Sequence, residues 1–159
     1  MASAAARLAA GAEPKGGKPR PGAEEAAAEE VDAAASAAAL QKGRKAAGGG
    51  DHEQALAAFE AAIRFDPHSG AALCEAGWAA FKLGSHAQAR EYLSRGISDA
   101  DERTKPACLY NLGRVEEDDG AKALAAVHYR QSLALRKNST VSKRLGALGD
   151  VGVPKCERP

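Results

Sequence analysis

The side chains best suited to covalent chemistry are those of three cysteines, Cys74, Cys108 and Cys156, in a chain of 159 residues. Cysteines can form disulfides, bind zinc or act as nucleophiles, depending on their neighbours. Their number here is odd and no two have a CxxC or CxxxC spacing, so the sequence supports neither a zinc site nor a disulfide framework. We therefore predict three reduced thiols, with Cys156 the most exposed.

Four histidines and one acidic run are the remaining candidates for a metal or catalytic site. The histidines are His52, His68, His86 and His128. They share no local ligand spacing, whereas metal sites need clustered ligands with a supporting shell. The acidic run at 116–119 lacks the alternating oxygens and closing glutamate of a calcium-binding loop. We predict no catalytic residue, no metal and no cofactor, and interpret the run as an edge that faces solvent or a partner.

The overall composition excludes several other functions. A formal net charge of +1 and a pI near 7.7 give no electrostatic reason to expect nucleic acid. No apolar run approaches the roughly 18 residues that span a bilayer. The segment from Met1 to Ala12 lacks the apolar core of a secretory leader, so the chain as written is predicted to be cytoplasmic. A leader missing from the sequence would instead make the protein periplasmic or secreted.

The N-terminal quarter of the chain changes composition near residue 23. Residues 1–22 are rich in Pro, Gly and Lys, which predicts a disordered tail. From Ala23 to Ala47 alanine dominates, with acidic residues early and basic residues late, as the helix macrodipole favours. We expect one long helix that Gly48-Gly49-Gly50 ends, because glycine adopts a left-handed conformation freely. These glycines follow a helix and lack the GxxxxGK[ST] pattern, so they are not a phosphate-binding loop.

A set of five positions recurs three times along the chain. Four of the five hold a small residue, and the fourth in order holds a large apolar or aromatic one. The first set is Gly43, Gly50, Ala55, Phe59 and Ala62. The second, 34 residues later, is Gly77, Gly84, Ala89, Leu93 and Gly96. The third, a further 36 residues on, is Gly113, Gly120, Ala125, Tyr129 and Ser132. This period indicates a repeat protein in which each unit is one supersecondary element.

Units of this length with these marks resemble the tetratricopeptide repeat (TPR), a helix-turn-helix of about 34 residues. The resemblance covers about Ser36 to Asn138, and the alanine-rich composition is similar to that of bacterial TPR proteins. It implies an all-α fold, a right-handed α-solenoid of three helix-turn-helix TPR units plus a C-terminal capping helix. The predicted segments are the disordered tail 1–22, an Ala/Glu-rich helical extension 23–35, TPR units 36–69, 70–103 and 104–139, the capping helix 140–148 and a flexible tail 149–159.

The repeated positions also predict how the helices pack. Glycine inside a helix costs roughly 1 kcal/mol relative to alanine, so the first-helix glycines are expected to allow close approach of the second helix. Asp51 with Gln54 and Ser85 with Gln88 are predicted capping pairs. The expected core consists of Phe59, Leu93 and Tyr129, surrounded by Leu56, Ile63, Leu73, Leu83, Ile97, Leu109, Leu112, Leu133 and Leu135.

Aligning the repeats also bears on the chemical candidates. Cys74 and Cys108 fall at near-equivalent places on successive first helices, whose axes lie about 8–10 Å apart. A disulfide there would need favourable inward rotamers, and we do not expect one. His52 and His86 occupy a place where TPR sequences often carry an aromatic ring, which favours a packing role. Glu116 stands where TPR units usually bury an apolar residue, so either repeat three packs loosely there or a counter-charge covers it.

The resemblance implies a ligand-binding groove along the concave face of the first helices. The matching residues are Leu40, Arg44, Cys74, Glu75, Trp78, Phe81, Lys82, Tyr110, Asn111, Arg114, Glu117 and Asp118. Trp78 and Phe81 lie off the core stripe of their helix, and exposed aromatic residues in a concave surface indicate a binding site. The alternative, that the N-terminal extension or another packed element covers them, stays open.

We therefore predict a non-enzymatic protein–protein interaction module that binds a peptide or protein segment in this groove as a monomer. TPR domains that clamp the terminal carboxylates of chaperone tails use Lys, Asn and Arg at five positions. Those positions hold Leu40, Arg44, Glu75, Ala107 and Asn111 here, so a carboxylate clamp is not expected. The alternative function is a structural or self-associating scaffold component of a larger assembly, such as an envelope-associated one.

Overall fold

The computed structural model describes the backbone of residues 21–149 and the side chains of residues 33–149. This part of the chain forms seven α-helices and contains no strand. They are α1 (Pro21–Gly48), α2 (His52–Phe65), α3 (Gly70–Lys82), α4 (His86–Asp99), α5 (Lys105–Asp118), α6 (Lys122–Leu135) and α7 (Ser139–Ala147). The rest of the two predicted tails, residues 1–20 and 150–159, lies outside the described residues.

The first six helices form three hairpins that stack in chain order. Within the hairpins α1 packs on α2, α3 on α4 and α5 on α6. Neighbouring hairpins meet through α2 with α3 and through α4 with α5, and α7 packs on α6. The first helices also touch one another, since α3 contacts both α1 and α5. The fold is thus the predicted all-α helical-repeat solenoid, with one face made by α1, α3 and α5.

The long first helix and the repeated turns follow from the sequence pattern. α1 runs unbroken from the predicted extension into the first repeat, although it begins at Pro21, inside the segment predicted as a tail. Proline suits a first helical turn because its missing N–H has no partner there. The turns after α1, α3 and α5 each contain a glycine with positive φ, namely Gly50 (84°), Gly84 (77°) and Gly120 (78°). A left-handed residue at this place favours glycine and explains its recurrence.

Glycines inside the first helices let the hairpins close, as predicted. A Cβ added to Gly77 would lie 2.5 Å from Leu93 Cγ, and one added to Gly113 would lie 2.5 Å from Tyr129 Cε1. Gly43 faces the ring of Phe59 in the same way. The three large side chains are fully buried, so each helical glycine makes room for one core residue of its hairpin.

The helix caps confirm one predicted pair and contradict another. Asp51 Oδ1 accepts a hydrogen bond from the Gln54 backbone N–H at 2.9 Å. Ser85 makes no side-chain capping bond, and Gln88 instead donates to Glu60 of the preceding hairpin at 3.3 Å. The predicted capping box at Ser85 was therefore wrong: the Gln88 side chain that would bond back to the helix start takes part in the contact between hairpins instead.

Two leucines predicted for the core lie at its edge. Leu83 is 38% exposed and Leu135 is 51% exposed. Leu83 caps α3 beyond its last turn, and Leu135 is the final residue of α6. At these helix ends the 3.6-residue periodicity no longer predicts burial, because the neighbouring helix does not extend over them.

The structure also corrects the prediction of reduced thiols, because Cys74 and Cys108 form a disulfide. Their Cα atoms are 5.3 Å apart, inside the usual range for disulfides. The prediction doubted that both side chains would take inward rotamers, and both do so at a helix spacing that is ordinary. Gly96 of α4 adds room, since a Cβ on Gly96 would lie 2.7 Å from Cys74 Sγ.

Candidate functional site

An aromatic cluster on α3 forms the centre of the predicted groove. The ring centroids of Trp78 and Phe81 are 5.3 Å apart, and Phe81 is 5.4 Å from the ring of His86 at the start of α4. Both α3 rings are half-buried. Spaced three residues apart, they lie on the same side of the helix. Phe81 packs against a core cluster, and both rings keep part of their apolar surface accessible, as an anchoring site for a ligand side chain requires.

Two cations lie over these rings from different helices. The Arg114 guanidinium carbon of α5 is 5.9 Å from the Trp78 ring centroid and 5.7 Å from that of Phe81. Lys82 Nζ is 5.8 Å from the Trp78 centroid. A cation within about 6 Å of a ring face is attracted by the ring quadrupole. The Arg114 contacts link α3 to α5, and both cations place positive charge beside the accessible aromatic surface.

Glu117 of α5 is held by side chains of its own chain. Tyr129 donates its hydroxyl to Glu117 Oε2 at 2.6 Å, and Arg144 of α7 donates to the same oxygen at 2.9 Å. Arg114 Nε lies 4.0 Å from it. Burial and the bond to Glu117 raise the pKa of the Tyr129 hydroxyl above its usual range. Glu117 was predicted as a groove charge, but its carboxylate already has three partners.

The rest of the acidic run joins α5 to α4, with Glu116 buried while Asp118 and Asp119 remain exposed as predicted for this edge. Glu116 is only 7% exposed and accepts a bond from Arg90 Nε at 2.9 Å. Arg90 also pairs with Asp119, and His86 lies between Asp118 and Asp119. The hydrogen bond from His86, followed by the charge of Arg90, holds the pKa of the Asp119 carboxyl below its usual range. The counter-charge expected for Glu116 thus comes from the preceding hairpin.

The remaining groove candidates lie on α1, α3 and α5, and most of them contact other residues of the chain. Arg44 Nε and Glu75 Oε1 form an ion pair at 3.1 Å between α1 and α3. Leu40 packs against the core of the first hairpin, around Ala55 and Phe59. Asn111 is half-buried on α5. Tyr110 stacks near Tyr129, with centroids 5.9 Å apart, and accepts a bond from Arg114 at 3.4 Å.

Cys74 is the groove candidate that the structure removes from the surface. Its side chain is 4% exposed and its sulfur is bonded to Cys108. Its placement at the i, i+4 spacing from Trp78 was correct, but a buried disulfide at that point leaves no thiol to contact a ligand. Cys74 therefore lies beneath the groove.

Sequence reasoning missed three residues that organise the site, namely Arg90, Tyr129 as a hydrogen-bond donor, and Arg144. Arg144 had a detectable signal, since it follows the buried Val141 by three residues and so lies on the face of α7 that packs on α6. Arg90 had none, because its partners lie 26 and 29 residues away along the chain.

Two further features lie away from the groove. A cavity of about 280 Å³ lies between α1 and α2, lined by Ala39, Lys42, Gln54, Ala57, Ala58 and Ala61. The Nδ1 atoms of His52 and His128 are buried without a hydrogen-bond partner. Among the residues that the structure describes, no three His, Cys, Asp or Glu side chains cluster as a metal site would require.

Comparison with known proteins supports the tetratricopeptide repeat family. A model of the tetratricopeptide repeat matches residues 46–107. This stretch therefore contains tetratricopeptide repeats. A search of the curated proteins found no match. Within residues 21–149, no helix is long and apolar enough to cross a membrane.

Solved TPR domains share the fold at low sequence identity. The Arabidopsis OM64 TPR domain aligns with a TM-score of 0.70 and 20% identity, covering 74% of this chain and 96% of that one. The first TPR of Spaghetti (RPAP3), bound to the HSP90 peptide SRMEEVD, aligns at 0.69 and 18%, covering 74% and 94%. The second TPR domain of human RPAP3, in complex with the HSP70 peptide SGPTIEEVD, aligns at 0.66 and 15%, covering 76% and 97%.

Proposed function

We propose that this protein is a non-enzymatic interaction module that binds a peptide segment in the groove of α1, α3 and α5. The observation that carries this proposal is the half-buried Trp78 and Phe81 pair with Arg114 and Lys82 over it. The peptide complexes of the two RPAP3 domains support it, because TPR domains of this fold bind extended peptides. The partner is a protein or peptide, with no role for nucleic acid.

The charges around the aromatic pair favour one kind of peptide. Glu75 and Glu117 are each paired with an arginine, and Asp118 lies beside His86. Lys82 is exposed, and its Nζ and the Arg114 guanidinium carbon lie 5.8 and 5.9 Å from the Trp78 ring centroid. Positive charge is therefore the sign that lies directly beside the rings. We expect the preferred peptide to carry a large apolar side chain next to an acidic one, the apolar group supplying affinity and the acid supplying register.

The peptide is expected to differ from the chaperone tails bound by the RPAP3 domains. Arg44 and Glu75 stand at two of the five clamp positions and neutralise each other. Leu40 and Ala107 carry no charge at two others, which leaves Asn111 as the one clamp residue type at these five positions that is not paired with an acidic residue. An acidic C-terminus would meet too few donors here, so an internal peptide segment is the better ligand.

Selection from a random peptide library against the full chain tests this function. Binding of a selected peptide is then measured for the Trp78→Ala and Lys82→Ala variants. Trp78→Ala should weaken binding by roughly 30-fold or more, as expected for a truncated central anchor. Lys82→Ala should change it by less than about fivefold, as expected for an exposed charge. Unchanged affinity in a Trp78→Ala variant that keeps its helical circular dichroism would reject the groove as the site.

A self-associating scaffold is the second candidate. It is favoured by the N-terminal side of the first hairpin, on which no further hairpin stacks within the described part of the chain. Leu73 and Tyr92 of the second hairpin occupy the places of Ala39 and Ala58, and Tyr92 donates to Glu60 of the preceding hairpin at 2.9 Å. The 280 Å³ cavity beside Ala39 and Ala58 is thus where another hairpin would stack. Sedimentation analysis decides between the two functions, because a monomer at all concentrations would exclude self-association.

The disulfide also bears on where the protein works. Stable disulfides form in oxidising compartments and are rare in the cytosol of mesophiles. The Cys74–Cys108 bond therefore favours the periplasm or the cell exterior over the cytoplasm predicted from the sequence as written. Localising a C-terminal fusion reporter that is active only outside the cytoplasm would test this.

A further inference from the structure

We infer that the Cys74–Cys108 disulfide is a redox latch for the groove, which holds α3 and α5 at the spacing that stacks Arg114 over Trp78 and Phe81. The inference rests on the proposed function, because it concerns the geometry of the same groove. It predicts that the affinity for a peptide depends on the redox state of this cysteine pair.

The position of the bond connects it directly to the site. Cys74 precedes Trp78 by one turn of α3, and Cys108 precedes Leu112 by one turn of α5. The bond thus crosses the floor of the groove just below the aromatic cluster. Above it, α3 and α5 meet through Arg114, whose guanidinium carbon is 5.9 Å from the Trp78 ring centroid. This contact lies within two helical turns of the disulfide. A change in the distance between α3 and α5 at the disulfide would therefore change the contact as well.

Breaking the bond must change that spacing or the local packing. Bonded sulfurs are about 2.05 Å apart, whereas non-bonded heavy atoms rest about 3.5–4.0 Å apart. Both cysteines lie in one core cluster with Leu93, Leu112 and Val115, and Gly96 lies against Cys74 Sγ on the other side. A close-packed interior has little room to absorb the extra distance. Two thiols therefore separate α3 from α5 or displace the side chains that support the groove.

The opening step is a thiol–disulfide exchange with a dithiol reductant. A thiolate of the reductant attacks the Sγ of Cys74, the less buried residue of the pair, and Cys108 leaves as a thiolate that takes up a proton. The second thiol of the reductant then displaces Cys74, which leaves and is protonated in the same way. The protein gains two electrons and two protons, and the dithiol becomes a disulfide. Because both cysteines are buried, this attack requires a transient opening between the helices.

The Cys156→Ser variant of the full chain is the working protein, since it leaves only the paired cysteines. Thiol titration in denaturant without reductant should find none, and titration after dithiothreitol should find two. Trp78 is the only tryptophan, so its fluorescence reports the groove. Reduction should change its acrylamide quenching constant by about 1.5-fold or more and weaken a library-selected peptide about tenfold or more.

The Cys74→Ala/Cys108→Ala/Cys156→Ser variant is the matched control. It should keep its helical circular dichroism and should show no change in quenching or affinity on addition of dithiothreitol. Two reactive thiols after exposure to oxidised glutathione would overturn the inference. So would equal quenching and affinity in both redox states, or a loss of helicity on reduction, which would make the bond a support of the whole fold.

In this design the proposed function and the redox latch are each tested by a measurement that does not depend on the other. A library that yields no peptide dependent on Trp78 refutes the proposed groove function. Thiol titration and indole quenching need no peptide, and they still decide whether the bond sets the spacing of α3 and α5.

Discussion

Repeats one and three fill the same place in their hairpins with rings that differ by one hydroxyl group. Phe59 lies against Gly43 and Tyr129 against Gly113, and both rings are buried. The Tyr129 hydroxyl reaches Glu117 at 2.6 Å. The residue at the equivalent place in repeat one is Ala47, which offers no acceptor. The comparison shows that the space beside the helical glycine accepts either ring. The far edge of the ring can in addition carry a hydroxyl group that orients a groove side chain.

The same contrast extends to the surroundings of the two repeats. The first hairpin is closed by alanines and Phe59, with Leu40 and Leu56 packed beside them. The third hairpin adds the Glu117 network, the Arg90 and Glu116 pair and the disulfide to α3. Repeat one meets repeat two through packing, the Arg44–Glu75 pair and two hydrogen bonds to Glu60. The junction of repeats two and three adds a covalent bond and a paired carboxylate that is almost fully buried. The candidate site lies at that second junction.

Removing the buried ring of either repeat should cause the largest loss of stability, and the loss should be similar in the two repeats. Phe59→Ala is expected to lower the free energy of unfolding by about 3–5 kcal/mol, because it leaves a cavity against Gly43. Urea denaturation measures this loss. The control is Phe65→Ala at the end of α2, where the ring is 45% exposed and the loss should be well under half as large. Similar losses for both variants would contradict the role assigned to Phe59.

Exchanging the two rings, Tyr for Phe and Phe for Tyr, should show how the two repeats differ. Tyr129→Phe removes the bond to Glu117 and is expected to cost about 1–2 kcal/mol of stability, since bonds to charged groups exceed neutral ones. Phe59→Tyr buries a hydroxyl where Ala47 offers no acceptor, and should cost about 1–3 kcal/mol. Unfolding free energies of both variants test this pair. If Tyr129→Phe were as stable as the wild type, the hydroxyl would have no role in holding Glu117.

The smallest effect should be the pH dependence that comes from His128 of repeat three. Burial lowers the pKa of its imidazole, and the charge of Glu116 raises it in part. The unfolded chain therefore binds the proton more readily than the folded one. This contribution to stability is fully present above the unfolded pKa of about 6.5 and decreases as the pH falls below it. His128→Leu should flatten the decline in unfolding free energy between about pH 7.5 and 5.5. An equally steep decline in the variant would assign it to other groups.

The repeat pattern in the sequence was enough to predict the fold, because each of its signals acts over short distances. Helix propensity, the glycine turns and the helical glycines depend on residues within one hairpin, and the period of about 34 shows that hairpins recur. Ser85 and Leu83 show where this reasoning stops. Both were predicted from local patterns, but a neighbouring hairpin engages Gln88 and no helix extends over Leu83.

The sequence by itself therefore determined the hairpins, their core rings and the presence of aromatic residues on a first helix. The tertiary structure decided what those residues face. The Cys74 to Cys108 bond joins residues 34 apart, and the contact of Arg144 with Glu117 joins residues 27 apart. Such pairs depend on the spacing and rotation of helices in different hairpins, to within about an ångström. Periodicity places a residue on a face of a helix, but only the packed solenoid brings two faces to bonding distance.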